Sequence, residues 1–118
     1  LVDDEAPLLK TLKASLERNG FRVIEARDGL EAVNLFMAHA QSIALVLIDL
    51  GLPRMSGWEA FQKIKEHSPA VKIVVMSGHL EANLKTKIIK GGAVGFLQKP
   101  FALTEALAEV KRVCAQGS

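Results

Sequence analysis

Residues 44–50 (ALVLIDL) are apolar at every position except Asp49. A strand with one face in water alternates apolar and polar side chains, whereas a strand covered on both faces is apolar throughout. This run therefore predicts a strand at the centre of a layered structure. Such strands occur in parallel sheets, whose crossover connections place helices on both faces.

Strand-like segments alternate with amphipathic helical segments along the rest of the chain. The predicted strands are Leu1-Val2, 21–26, 44–50, 71–76 and 94–97, and a helix follows each of them. Pro7 suits the first turn of the first helix, and Ser56 with Glu59 forms a capping box ahead of the third.

Five strands in strict alternation with five helices predict a single doubly wound α/β domain over residues 1–118. A chain of 118 residues is long enough for one core and short for two. We expect the start of the first strand to be missing and the chain to be part of a longer protein. The single cysteine, Cys114, excludes an internal disulfide, and a net charge of +2 gives no indication of a nucleic-acid or membrane surface.

Polar residues follow four of the predicted strands at their carboxyl ends, where the functional sites of open α/β sheets lie. They are Asp3-Asp4, Asp49, Ser77 and Lys99. Each has an ordinary structural explanation: an acidic helix start for Asp3-Asp4, a buried turn cap for Asp49, a helix N-cap for Ser77 and a solvated side chain for Lys99. Their common position at strand ends favours a site instead.

Three carboxylates that meet at one edge of a sheet need a cation among them. Two like charges about 4 Å apart repel by about 4 kcal/mol at an effective dielectric constant of 20. Protonation of one acid, the nearby Lys99 or a divalent cation would relieve this repulsion. Oxygen ligands without histidine or cysteine favour Mg²⁺, with Mn²⁺ or Ca²⁺ behind it, and a Mg²⁺ site of this kind suggests phosphoryl chemistry.

The motifs and their spacing resemble the receiver domain of bacterial two-component response regulators over essentially the whole chain. The shared segments are 2–5 (VDDE), 49–57 (DLGLPRMSG), 76–78 (MSG), 92–93 (GA) and 96–101 (FLQKPF). The resemblance implies a flavodoxin-like fold with the strand order 2-1-3-4-5. It also implies a cytoplasmic phosphoacceptor switch, which catalyses its own phosphorylation and dephosphorylation and is not otherwise an enzyme.

By this resemblance, Asp49 accepts a phosphoryl group from a phosphohistidine of a sensor kinase or of a histidine phosphotransfer protein. Mg²⁺, with Mn²⁺ as a substitute, would bind to Asp49, to Asp4 directly, to Asp3 through water and to the backbone carbonyl of Gly51.

The resemblance also assigns the residues that respond to the phosphoryl group. Ser77 would contact it, Lys99 would pair with its oxygens beside a cis bond to Pro100, and Phe96 would be the aromatic switch residue. The fourth helix, fifth strand and fifth helix would form the output surface and the contact of a homodimer. No contact of this domain with nucleic acid or membrane is expected.

Two other functions compete with the phosphorylated receiver. An interaction module without phosphorylation would lack some of the acidic residues or the lysine, and none of them is missing. A Mg²⁺-dependent phosphohydrolase with an aspartyl-phosphate intermediate needs a second acid two residues after the nucleophile, where this chain has Gly51. The parent protein could be a stand-alone regulator, a transcription factor or a hybrid histidine kinase.

Overall fold

The computed structural model describes residues 1–50, 56–78 and 82–115. Its helices are α1 (Ala6–Arg18), α2 (Gly29–His39), α3 (Gly57–His67), α4 (Ala82–Lys90) and α5 (Leu103–Ala115). Its strands are β1 (Leu45–Asp49), β2 (Lys72–Ser77) and β3 (Gly95–Gln98), which are the predicted third, fourth and fifth strands. No helix within the described ranges has the length and apolarity needed to cross a membrane.

The three strands form a parallel sheet in the order β1-β2-β3. Asp49 at the end of β1 is level with Met76, which in turn is level with Leu97 on β3. Ser77 is level with Gln98, so the carboxyl ends of all three strands lie at the same edge. The register therefore brings Asp49, Ser77 and the residue after Gln98 to one rim.

The first two predicted strands appear only as isolated parallel bridges. Val2 bridges to Ala26 on one side and to Ile48 on the other. The Val2 amide donates to Leu47 O at 2.7 Å, and the Ala26 amide donates to Leu1 O at 3.0 Å. The five-strand order 2-1-3-4-5 thus remains a prediction beyond the three assigned strands.

The sheet carries a hydrophobic core on each face, as the apolar run 44–50 predicted. Ile73 and Val75 of β2 belong to a cluster with α2, α3 and α4. Val74 and Met76 belong to a second cluster with α1 and α5. Neighbouring residues of a strand point to opposite faces, so these four fully buried side chains of β2 pack against helices on both faces of the sheet. The doubly wound α/β arrangement is confirmed.

Side-chain caps start two of the helices where the sequence predicted helix starts. The Asp28 carboxylate accepts a hydrogen bond from the Glu31 amide at 2.8 Å, which begins α2. The Ser56 hydroxyl accepts from the Glu59 amide at 3.2 Å, which begins α3. Each cap satisfies one amide that has no partner within its helix.

Two aromatic rings of α3 contact α4 and the glycine after it. The Trp58 ring stacks on Phe61, with 5.2 Å between ring centroids and 11° between ring planes. The Lys87 ammonium lies 4.8 Å from the centroid of the Trp58 ring, within the range of a cation–π interaction. A Cβ added to Gly91 would lie 3.0 Å from Phe61 and 3.2 Å from Trp58, so the end of α4 fits closely against both rings.

Candidate functional site

Backbone hydrogen bonds fix the segments that carry the predicted site residues. The Asp3 amide donates to Ala26 O at 3.1 Å, and the Asp49 amide donates to Val2 O at 2.9 Å. The Lys99 amide donates to Ser77 O at 2.8 Å, and the bond from Lys99 to Pro100 is cis. Three separate parts of the chain are therefore tied together at the rim.

The Lys99 side chain reaches into the group of carboxylates. Its ammonium lies 2.6 Å from Asp3 Oδ2 and 3.1 Å from Asp49 Oδ2, and it donates a hydrogen bond to the latter. Glu5 Oε1 lies farther away, at 3.8 Å. One cation thus contacts three acids, which confirms that the strand ends bring opposite charges together.

Asp3 is the most deeply buried of these acids, with an exposed fraction of 0%. Its Oδ1 accepts a hydrogen bond from the Glu5 amide at 2.9 Å, and its Oδ2 lies 2.6 Å from the Lys99 ammonium. Burial raises the pKa of Asp3 above its ordinary value, and the opposing effects of the Lys99 and Glu5 contacts do not cancel that rise. The neighbouring charge of Asp49 acts in the same direction as burial.

Lys99 responds in the way expected of a cation surrounded by acids. Burial by itself lowers the pKa of its ammonium, because the charged form loses water. The hydrogen bonds and charges of Asp3 and Asp49 outweigh this effect, and the pKa of Lys99 is raised. Lys99 therefore stays charged throughout the neutral range.

The carboxylates of Asp3, Asp4 and Asp49 fit a divalent cation. Each offers one oxygen, and the three oxygens lie within 4.8 Å of one another. Asp3 and Asp49 are buried and Asp4 is exposed, so the group opens toward solvent on one side. The buried Asp3 Oδ2 is already paired with the Lys99 ammonium, which also contacts Asp49, so a single positive charge is shared among these acids. Hard oxygen ligands that leave room for water are the donor set that Mg²⁺ prefers.

Three further site residues were predicted from the sequence: Ser77, Phe96 and Gly51. Ser77 is buried at the end of β2. Phe96 is partly buried on β3, level with Val75, and packs against the core that α2, α3 and α4 cover. Gly51, the predicted carbonyl ligand, lies outside the described residues.

Two residues of the site, Glu5 and Gly57, were not predicted from the sequence. Glu5 directly follows the two aspartates, a position that could have indicated its contact with Lys99. Gly57 lies against the end of β1: its amide donates to Leu50 O at 3.1 Å, and an added Cβ would overlap the Asp49 carbonyl oxygen. Nothing in the local pattern around Gly57 indicates this approach, because it depends on how α3 packs on the sheet.

Most of this chain is similar in sequence to known proteins. Residues 1–111 match the family model of the response regulator receiver domain. Transcriptional regulatory protein SrrA from Staphylococcus aureus is 34% identical over 111 residues, which are 94% of this chain and 45% of that protein. The chain thus spans about half the length of the curated relatives it matches.

Solved structures with the same fold include receiver domains. The non-phosphorylated HemR receiver domain from Leptospira biflexa is 30% identical, with a TM-score of 0.93 over 99% of this chain and 93% of that one. A chain of the CheX–CheY–BeF3–Mg²⁺ complex from Borrelia burgdorferi is 29% identical, with a TM-score of 0.90 over 95% and 84%. The fold is flavodoxin-like, and the family model covers nearly the whole sequence. The chain belongs to the response regulator receiver domain family.

Proposed function

We propose that this domain receives a phosphoryl group on Asp49 from a phosphohistidine of a sensor kinase or a histidine phosphotransfer protein. The observation that carries this proposal is the Lys99 ammonium, 3.1 Å from the Asp49 carboxylate and 2.6 Å from that of Asp3. Membership of the receiver family supports a phosphoacceptor role in two-component signalling.

The transfer follows from the chemistry of a carboxylate nucleophile. A carboxylate oxygen of Asp49 forms a bond to phosphorus while the P–N bond to the histidine breaks, and the leaving imidazole takes up a proton. Lys99 neutralises charge on the phosphoryl oxygens. Attack of water on the resulting acyl phosphate restores Asp49 and releases inorganic phosphate. The domain thus promotes its own phosphorylation and dephosphorylation and acts on no further substrate.

Asp3, Asp4 and Asp49, together with the Gly51 carbonyl, are the proposed ligands of Mg²⁺, for which Mn²⁺ can substitute. The bound cation supplies positive charge to the phosphoryl oxygens. The clustering of three carboxylates, with the exposed Asp4 on the side open to solvent, supports this assignment. The related CheX–CheY complex from Borrelia burgdorferi contains BeF3 and Mg²⁺, which supports the assignment as well.

The proposed response begins at Ser77, whose hydroxyl contacts the new phosphoryl group. Movement of its loop then leaves space into which the partly buried Phe96 ring turns. A shift from 1:99 to 99:1 between two states needs about 5.5 kcal/mol of differential binding, and new charge-assisted hydrogen bonds contribute roughly 1.5–3 kcal/mol each. The face formed by α4, β3 and α5 carries the output and the contact of a homodimer.

The wider setting of the domain is also a proposal. We place it in the cytoplasm, without contact to nucleic acid or membrane through the domain itself. Because SrrA is more than twice as long as the matched region, the parent protein is proposed to carry an output domain. A stand-alone regulator and a hybrid histidine kinase are the alternative parents.

The test is phosphorylation by acetyl phosphate with and without Mg²⁺, followed by intact mass. We expect one Mg²⁺-dependent phosphoryl group on the wild type and none on Asp49→Asn. Asp28→Asn is the matched control, because asparagine caps a helix as well as aspartate does and Asp28 caps α2. Uptake by Asp49→Asn equal to that of the wild type would refute the assignment of the acceptor. Binding of Mg²⁺ without any transfer would favour an interaction module.

A further inference from the structure

Glu5 stands at the exposed rim of the acidic site. Its carboxylate lies 3.8 Å from the Lys99 ammonium, and its side chain is 61% exposed, against 15% for Lys99 and 0% for Asp3. Its backbone amide donates to Asp3 Oδ1 at 2.9 Å, which fixes the position of Glu5 relative to the site. A molecule that contacts the Lys99 ammonium therefore comes close to the Glu5 carboxylate as well.

The charge of Glu5 differs in its effect from the charges of the aspartates. A divalent cation and Lys99 together balance Asp3, Asp4 and Asp49, which are the carboxylates that cluster closely enough to share an ion. Glu5 is a fourth carboxylate, whose negative charge these two cations leave unbalanced. Its charge lies 3.8 Å from the ammonium that is proposed to pair with the phosphoryl oxygens, and the phosphodonor is itself an anion.

We infer that Glu5 is a specificity-determining residue that disfavours phosphodonors in proportion to their negative charge. This inference rests on the proposed phosphorylation of Asp49. Repulsion between charges at an exposed rim is weak but present, and it is screened by salt. A donor with two negative charges should meet about twice the repulsion that a donor with one meets.

The test compares acetyl phosphate, a dianion at pH 7, with phosphoramidate, a monoanion at this pH. In both reactions Asp49 forms the new bond to phosphorus. The P–O bond to acetate breaks in the first, and the P–N bond breaks in the second, where ammonia leaves with the protons it carries. The ratio of the two rate constants is the readout, because a general loss of structure would lower both rates together.

At low ionic strength, Glu5→Gln should raise the rate with acetyl phosphate about two- to fourfold more than the rate with phosphoramidate. Glu5→Asp keeps the charge and should keep the wild-type ratio. In 1 M salt the Debye length falls to about 3 Å. Under this condition, the ratio of the two rate constants should be the same for Glu5→Gln and wild type. Glu17→Gln is the matched control, since Glu17 is exposed near the other end of α1, about 18 Å from the helix start that Glu5 precedes.

Three results would overturn this role for Glu5 while leaving the proposed function intact. They are equal changes with both donors in Glu5→Gln, the same shift of the ratio in Glu17→Gln, and a shift that 1 M salt leaves unchanged. Absence of transfer from either donor to the wild-type chain would instead refute the proposed function, and this inference with it.

Discussion

The Lys99 ammonium carries one positive charge among carboxylates from separate parts of the chain. Its contacts with Asp3 and Asp49 compensate for the loss of water around both acids, but one charge does not fully compensate two. The raised pKa of Asp3 follows from this imbalance, because burial favours its neutral form more than Lys99 favours its charged form. At the scale of the residue, the site is therefore prepared for an additional cation.

The raised pKa of Asp3 predicts how stability depends on pH when divalent cations are removed with a chelator. The folded chain holds the Asp3 proton more tightly than the unfolded chain does, so ionisation of Asp3 lowers the free energy of unfolding as pH rises through its folded pKa. Asp3→Asn should therefore unfold at a higher temperature than wild type at pH 7. This gain should vanish below about pH 3.9, where Asp3 is protonated in both states.

Thermal unfolding followed by circular dichroism from pH 3 to pH 8 measures this difference. Glu17→Gln replaces an exposed acid on α1 and should stay within about 0.5 kcal/mol of wild type. A lower unfolding temperature for Asp3→Asn than for wild type at pH 7 would mean that Lys99 overcompensates the burial of Asp3.

The helices were the most predictable elements, because their starts depend on neighbours in sequence. The cap at Ser56 and the proline in the first turn of α1 lie where the pattern indicated. The meeting of Asp3, Asp49 and Lys99 was also predictable, since parallel strands end at a common edge. The contacts of Gly57 and Trp58 were not, because they depend on how α3 is placed against distant segments.

The close contact of Gly57 in α3 with the end of β1 predicts that Gly57→Ala lowers the stability of the domain. The new methyl group would overlap the Asp49 carbonyl oxygen and lie 2.5 Å from Leu50 Cα. We expect a loss of about 1–3 kcal/mol in the free energy of unfolding, as for other overpacked positions. We also expect slower phosphorylation, because α3 must move away from the end of β1 or displace Asp49.

Gly78→Ala is the matched control for this substitution. A Cβ at Gly78 meets no described atom within 4 Å, so its effect on stability should be about 0.5 kcal/mol or less. Urea unfolding and the rate of phosphorylation by acetyl phosphate are the two measurements. Equal stability of Gly57→Ala and Gly78→Ala would show that α3 yields to the extra methyl group at little cost.

At the scale of the whole molecule, the acidic group lies at one edge of the sheet, and a hydrophobic core packs on each face. The apolar run 44–50 predicted helices on both faces, and therefore both cores. The first two predicted strands appear as bridges from Val2 to Ala26 and to Ile48. These bridges place Asp3 beside the end of β1, so a ligand shared by Asp3 and Asp49 should connect these two parts of the chain.

A cation held by Asp3, Asp4 and Asp49 predicts stabilisation of the whole domain. At a Mg²⁺ concentration ten times its Kd, the free energy of unfolding should rise by about 1.4 kcal/mol. Thermal unfolding at increasing Mg²⁺ measures this rise, and EDTA should reverse it. Asp4→Asn should reduce the gain, because it removes the exposed ligand. An equal gain in Asp4→Asn and wild type would remove Asp4 from the proposed ligand set.

The contact between Trp58 and Lys87 has a spectroscopic consequence. Trp58 is the only tryptophan of the chain, so its emission comes from a single ring held between α3 and α4. It lies next to Gly57, which adjoins the Asp49 carbonyl, and its ring is covered by a side chain of α4. The protein therefore carries an intrinsic fluorophore whose spectrum reports, without a label, any change in the distance between these two helices.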